Sequence, residues 1–305
     1  MDLLMPIAHK KVKEVTVYDK IPDGVSIIGA PEFWDAGLRG AGIVVAIIDT
    51  GCDVLHPDIK DRIIDTVNFT NENARNKKDV TDLDGHGTHV AGIIAASGND
   101  KGIIGVAPEA DLMILKALTS KGGSYSWIMQ AINYAIAKKV DIISMSLGGK
   151  YDYKPLHNII KRAVANNILV VAASGNDGDG VGSTLEVNYP AAYNECISVG
   201  SITTEKDGSR FSASNKEVDV VAPGQGKNGR GIISLAPGNK YVELIGTSMA
   251  TPHVAGALAL IKNWAVKEFG RELTESELYA QLIKKTESLG FSKTIEGNGI
   301  VNLNL

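Results

Sequence analysis

Cysteine is nearly absent: the 305 residues hold two, Cys52 and Cys196, with no Cys-x-x-Cys pair and no Cys/His cluster. That argues against a disulfide scaffold, a redox pair or a structural zinc. No His-Glu-x-x-His occurs, so the usual zinc-protease spacing is missing too. No stretch of roughly 18 or more apolar residues exists, and nothing reads as a membrane-spanning helix. Residues 1–13 lack the basic start and apolar run of a secretory signal; taken as a whole chain, the sequence is expected to be cytoplasmic. Positive charge is not in excess. Lys+Arg number 31 against 35 Asp+Glu, a net charge of −4, so no basic field for nucleic acid or an anionic membrane is evident. The glycine-rich turns contain no Gly-x-x-x-x-Gly-Lys-Ser/Thr, and no Gly-x-Gly-x-x-Gly opens a helix. Internal repeats and an interdomain linker are also lacking.

What is present fits one large α/β domain: 44% hydrophobic and 22% charged residues, in a chain long enough to bury roughly 75% of its unfolded surface. Strand-like runs fall at 43–49, 111–118, 140–147, 168–174, 196–202, 218–222 and 241–245, several of them almost continuous Val/Ile/Leu. Between several of them lie helical patterns, such as Ile128, Ala131, Ile132, Ala135 and Ile136 on one face. Thr274 and Glu277 form a capping box before a last helix. Apolar strands alternating with helices predict a doubly wound, mostly parallel sheet with helices on both faces. Ligands then bind beyond the carboxyl ends of the strands, where Asp49, residues 146–149 and residues 175–176 all fall. Polar stretches 68–84 and 177–188 read as surface loops.

The most informative segment is Gly246-Thr247-Ser248-Met249-Ala250-Thr251-Pro252-His253. It sets a serine just after a strand and at the start of a long apolar helix. Backbone N–H groups at a helix N-terminus favour negative charge, which suits an attacking oxygen and the oxyanion that it creates. Serine alone is a weak nucleophile and needs a base held by a third group. Asp49 ends a buried strand, and Gly85-His86-Gly87-Thr88-His89 opens another apolar helix. These residue types in the order Asp, His, Ser match one of the known orders of the serine-protease triad; composition alone leaves His86 and His89 as rival bases.

With these motifs in place, the chain resembles the subtilisin-like serine proteases, and within them the intracellular subtilisins of bacilli. The likeness covers nearly the whole chain and rests on Asp49-Thr50-Gly51-Cys52, Gly85-His86-Gly87-Thr88-His89, Ser146-Leu147-Gly148-Gly149, Gly175-Asn176 and Gly246-Thr247-Ser248-Met249-Ala250. It implies a subtilisin-like fold and a broad-specificity serine endopeptidase working through an acyl-enzyme. Ser248 is then the nucleophile, His86 the base and Asp49 the carboxylate that orients it. Asn176 is implied as an oxyanion donor beside the N–H of Ser248. Residues Gly122, Gly123 and Ser124 and residues Ser146, Leu147 and Gly148 are implied to clasp an extended peptide. Tyr125, Ile128 and Leu147 would line a pocket for an apolar side chain four before the cut. Asn188 and Asp177 would lie near the pocket for the residue just before it.

The resemblance further implies structural calcium, held by Asp58 and Asn99 side chains with carbonyls of Ser97, Lys101 and Ile103. A weaker site for calcium or sodium would use carbonyls of Ala191, Tyr193 and Cys196 with Asp219. Expected partners are protein and peptide substrates, the chain's own N-terminus and a second copy in a homodimer; no nucleic acid or membrane is expected. Intracellular subtilisins share an N-terminal Leu-Ile-Pro-Tyr that blocks the active site. Here the stretch is Leu4-Met5-Pro6-Ile7, matching at Leu4 and Pro6. Residues 1–18 are therefore expected to be a removable inhibitory extension and residues 19–305 the peptidase domain. Cys52, close to Asp49, and Met249, beside Ser248, are expected to make activity sensitive to thiol reagents and to peroxide.

Overall fold

Alternation within one strand sets the layering. Val45 and Ile47 belong to one buried cluster and Ala46 and Ile48 to another, because successive side chains of a strand leave opposite faces of the sheet. The protein was analysed as a computed structural model, which describes residues 4–6, 10–15, 20–73, 76–99 and 102–304, with 10–15 described for the backbone only. In chain order the strands are β1 (Met5–Pro6), β2 (Lys10–Val15), β3 (Val44–Asp49), β4 (Ile63–Asn68), β5 (Asp111–Lys116), β6 (Ile142–Met145), β7 (Leu147–Gly148), β8 (Leu169–Ala173), β9 (Ile197–Thr203), β10 (Val220–Gln225), β11 (Ile232–Ala236), β12 (Lys240–Ile245), β13 (Thr286–Glu287) and β14 (Ile300–Val301). The helices are α1 (Asp23–Ile27), α2 (Ala30–Asp35), α3 (His86–Ala95), α4 (Tyr125–Lys138), α5 (Lys154–Ala165), α6 (Thr247–Phe269), α7 (Glu275–Lys284) and α8 (Lys293–Glu296).

The main sheet has the order β13-β14-β10-β9-β8-β6-β3-β5-β4. Every pair in it is parallel except β13 with β14. Helices α3 and α6 fill one face, where Val90, Ile94, Val254 and Leu258 meet Ile47, Ile114, Val171 and Val199 in a single cluster. Helices α4 and α5 cover the other with Ile128, Ile132, Leu156 and Ile160 against Ile48, Leu115, Ile143 and Val170. This is the doubly wound α/β arrangement expected from the sequence.

All seven strand-like runs contain strands, and six of them enter the main sheet. The run at 241–245 instead forms β12, the middle of a separate antiparallel sheet β11-β12-β2. Six strands lie outside those runs, β1, β2, β4, β11, β13 and β14, and four of them have a plain physical reason. β4 lies at the sheet edge with Ile64 exposed, so its apolar signal is diluted. β2 is rich in lysine, and β13 and β14 span two residues each.

Candidate active site

Asp49 is the last residue of β3, and His86 the first of α3. Gly87 lets the two elements touch: a Cβ there would lie 2.2 Å from the Gly51 carbonyl oxygen and 3.2 Å from the Asp49 Cβ. His86 Nδ1 lies 2.7 Å from Asp49 Oδ1, both side chains almost fully buried. Burial works against the charged imidazolium of His86, but the Asp49 carboxylate, helped by Asp84 and Asp82, outweighs it and raises the pKa above 6.5. His86 is thus held in the orientation and tautomer of a base whose Nε2 points elsewhere.

Asp82 was not singled out from the sequence and organises this half of the site. Its Oδ1 accepts from Thr50 Oγ1 at 2.9 Å and Gly85 N–H at 2.8 Å. Its Oδ2 accepts from Thr88 N–H at 2.9 Å and Thr88 Oγ1 at 2.6 Å. One buried carboxylate therefore joins the residue after Asp49 to both sides of His86 and serves N–H groups that the start of α3 leaves unpaired. The Gly87 N–H closes the net on Thr50 Oγ1 at 2.9 Å. The legible signal was an acid four residues ahead of the first helical residue.

Ser248 is the second residue of α6 and fully buried. Its Oγ donates to the Ser146 carbonyl at 3.0 Å, while Ser146 Oγ donates to the Ser248 carbonyl at 2.9 Å. Among the described residues no hydrogen bond joins Ser248 to His86, and the buried His86 Nε2 has no partner. Asn176 follows Gly175, where φ is +122° and a Cβ would sit 2.0 Å from Asn188 Nδ2. Asn176 Oδ1 accepts from Thr247 N–H and Oγ1, both at 2.9 Å. That pins the oxygen on the α6 side and directs the amide nitrogen away from it. Asn188 Nδ2 donates to the Ser174 carbonyl at 3.1 Å and Asp177 Oδ1 at 2.8 Å. Asp177 is also paired with Lys150, so its charge at this rim already has a basic partner.

The two edge segments hold a peptide strand, and it is the chain's own. Leu4 N–H donates to the Gly123 carbonyl at 3.0 Å and Gly123 N–H to the Leu4 carbonyl at 2.8 Å. Met5 and Pro6 pair antiparallel with Gly148 and Leu147. Leu4 is fully buried in the cluster that includes Ile128 and Leu147, with Tyr125 packed against it. Pro6 shares a cleft of about 320 Å³ with Gly148, Gly175, Asn176 and Asn188. Ser124 caps α4 by accepting from the Trp127 N–H at 3.2 Å. Ile7 lies outside the described residues.

Asp58 is 1% exposed, and among the described residues no ion pair offsets its charge. Its oxygens accept from Asn99 Nδ2 at 3.3 Å, Ile103 N–H at 3.2 Å and the Tyr241 hydroxyl at 3.0 Å. Ser97 donates to the Asp58 carbonyl through its N–H and Oγ, both at 2.7 Å. A buried carboxylate beside an amide and an irregular loop fits a hard cation, with the Asn99 amide turned to offer its oxygen. Lys101 lies outside the described residues. The second set fits poorly. Both Asp219 oxygens are taken, by Ser198 N–H at 2.8 Å and the Tyr279 hydroxyl at 2.6 Å, and the Tyr193 carbonyl accepts the Cys196 N–H at 2.9 Å. Ala191 is buried beside them without adding a charge.

His89 and His253 are buried and held neutral. His89 Nε2 lies 3.0 Å from the Ile232 carbonyl and 3.1 Å from that of Val242, and burial lowers its pKa to about 3. His253 Nδ1 lies 2.7 Å from the Met249 carbonyl, and burial lowers its pKa to about 4. His89, the rival base, is thereby committed to tying α3 to β11 and β12. Cys52 is buried with its thiol pKa pushed well up by burial, an inert environment rather than a reactive one. Met249 is also fully buried.

Residues 40–300 match the model of the subtilase family. The chain belongs to that family. This subtilase is 54% identical over 298 residues, 97% of its own length and 90% of the relative's, to an intracellular serine protease of Paenibacillus polymyxa. It is 50% identical over 303 residues, 99% and 92% of the two chains, to the major intracellular serine protease of Bacillus subtilis (strain 168). It is also 43% identical over 256 residues, 84% of this chain and 63% of the relative, to subtilisin E of the same species. The chain is accordingly a serine-type endopeptidase. Among the described residues, no helix is long and apolar enough to cross a membrane.

Proposed function

We propose that this subtilase is a cytoplasmic endopeptidase of broad specificity whose intact chain is held inactive by its own N-terminus. The observation that carries the reading is the extended strand at Leu4–Pro6, bonded to Gly123 on one side and to Leu147 and Gly148 on the other. A groove that already holds a peptide by main-chain pairing is suited to sequence-tolerant substrates. In the reaction a substrate strand takes that place and Ser248 Oγ turns from the Ser146 carbonyl toward His86 Nε2. Its proton passes to His86 as the oxygen attacks the carbonyl carbon. The imidazolium is stabilised by Asp49, and the new oxyanion by Asn176 Nδ2 and the Ser248 N–H. His86 then protonates the leaving amine. Water, deprotonated by His86, releases the acyl group.

The extension resists this fate on two counts. Pro6 has fixed φ and no N–H, which supports a seated but badly aligned bond, and the Ser248 hydroxyl is engaged with Ser146. Calcium at Asp58, Asn99 and the carbonyls of Ser97 and Ile103 would neutralise a buried charge and hold the 97–103 loop, far from any chemical step. Casein hydrolysis by the full chain, by a chain starting at Asp19 and by Ser248→Ala tests the reading. The shortened chain is expected to be fastest and Ser248→Ala inert, down by about 10⁶, the loss seen in another subtilase without its nucleophile. Equal rates for the two wild-type lengths reject self-inhibition. Calcium chelation is expected to lower the melting temperature of Ser248→Ala as well, a readout independent of turnover.

A further inference from the structure

Lys116 ends β5 in a place where a lysine is costly. It is 0% exposed, and β5 sets it in register with Asp49 on one side and with Asn68 of β4 on the other. Ile47 and Ile114 lie in the cluster under α3 and α6, so by alternation Asp49 and Lys116 leave the sheet on that same face. The Lys116 ammonium donates to the Thr50 carbonyl. Glu72 Oε2 lies 2.9 Å from it, in ionic contact but out of hydrogen-bond alignment. Thr50 is thereby held at every polar atom. Its N–H donates to Asp49 Oδ1 at 2.7 Å, its Oγ1 bonds Asp82 and the Gly87 N–H, and its carbonyl takes the lysine. Glu72 is fixed in turn, its N–H on Thr70 Oγ1 and its carbonyl on Asn68 Nδ2, both at 3.2 Å. A buried ion pair is weak support for a fold, since apolar residues of similar size often serve as well or better. Stability therefore does not explain this one, and no step of the proposed reaction uses it.

We propose that Lys116 is a positioning residue for catalysis: its ammonium locks the Thr50 residue whose N–H aims Asp49 at His86, and Glu72 balances the charge that this places beside the pair. The proposal rests on reading Asp49 and His86 as the proton-relaying pair. At Gly51 φ is +117° and a Cβ would lie 2.2 Å from the Val80 carbonyl oxygen, so the turn after Thr50 has no side chain of its own to pack. Its anchor has to come from outside. A charged donor on a carbonyl makes a bond roughly twice as strong as a neutral one, and Lys116 supplies it. The charged groups at this corner are Asp49, Asp82 and Asp84, which act on His86, and Glu72 and Asp79, which face Lys116. His89, also near His86, is neutral. Loss of Lys116 favours the imidazolium of His86 and loss of Glu72 disfavours it, so the two side chains pull the base in opposite directions.

For the test, each variant is folded whole with a specific-protease sequence at residues 16–19 and then cut there, so that all are assayed in one form. Lys116→Met is expected to lower kcat for a peptide about 10–100-fold with KM retained, and to move the acid limb of kcat/KM to higher pH. Glu72→Gln is expected to move that limb to lower pH. The double variant should restore the limb but not kcat, because no donor then holds the Thr50 carbonyl. Its melting temperature should match or exceed that of Lys116→Met, since no lone charge is left. If Lys116→Met does not fold, the kcat of the double variant carries the test. Wild-type kcat without Lys116 overturns the proposal. So does a double variant that regains kcat together with its limb, which would make the effect one of charge alone. Limbs unmoved in both single variants overturn the part given to Glu72. Ser248→Ala in the same assay separates the premises: turnover by it overturns the triad reading, whereas its inertness beside unaltered Lys116 variants overturns this proposal alone.

Discussion

The two halves of the active site are built on opposite plans. On the Asp49–His86 side, among the described residues, Asp49 Oδ2 and His86 Nε2 lack a partner while Asp82, Thr50 and Thr88 form a closed net. On the Ser248 side the backbone is equally fixed, by Asn176 on Thr247 and by Ser146 on the Ser248 carbonyl, but the hydroxyl is bonded away from the base. The proposed base, His86, is preorganised by a carboxylate that is itself held, whereas the proposed nucleophile, Ser248, has one rotatable bond left. Ionic contacts have to be set before a reaction begins, because reorienting them during it adds to the barrier. A hydroxyl can turn at small cost.

The contrast can be broken at either half. The largest effect is expected on the nucleophile side at Asn176. Its replacement by alanine removes the proposed oxyanion donor and the two bonds to Thr247, and kcat should fall by about 10²–10³, the range known for this donor in another subtilase. A peptide-substrate KM close to wild type would accompany it. If kcat/KM is unchanged, Asn176 is only a loop residue.

Next comes Asp82→Asn, which keeps the shape and removes the charge. Misplacing the base costs about 10–100-fold, and it should appear in kcat with KM retained. The pH profile adds a second readout. With His86 as the proposed neutral base and its pKa raised, activity is expected to rise with pH through a value above 6.5; losing Asp82, one of the groups that raise it, should shift that rise to lower pH. A variant with lower kcat and an unmoved profile would mean that Asp82 supports the fold alone.

The smallest effect concerns pH and stability. His89 and His253 have folded pKa values of about 3 and about 4, below the ordinary 6.5. Between those values the unfolded chain binds more protons than the folded one, so stability is lost as pH falls below 6.5. His89→Gln, which removes one of these protons, should flatten the decline of melting temperature between pH 6.5 and about 4. A slope equal to wild type would show that other groups dominate.

Much of this was legible beforehand, and unevenly. Strands whose two faces are both covered announced themselves as apolar runs, hence β3, β5, β6, β8 and β9. β2 was invisible because its signal is main-chain pairing to β12, which lysine-rich residues do not reveal. Asp49 could be read from the strand end and turn around it, but the glycines flanking His86 left His89 as a rival base, and only the resemblance chose between them; Gly87, in the structure, is what lets the two elements touch. Asp82 could not, because an acid before a helix is ordinary until one sees that both its oxygens serve the same site. The hydroxyl of Ser248 pointing to Ser146 is a rotamer, and no pattern of residue types encodes a rotamer.

The placement of β12 has an evolutionary consequence. That strand hands its pairing to a hairpin partner on one side and to residues 10–15 on the other, tethers Tyr241 to Asp58, and runs directly into Gly246 and Ser248. Changes along it are therefore felt, position by position, by one or more of these four neighbours. Drift along residues 240–248 is accordingly constrained to substitutions that these neighbours tolerate, whereas the mostly exposed loop 177–188 is tied to fewer of them.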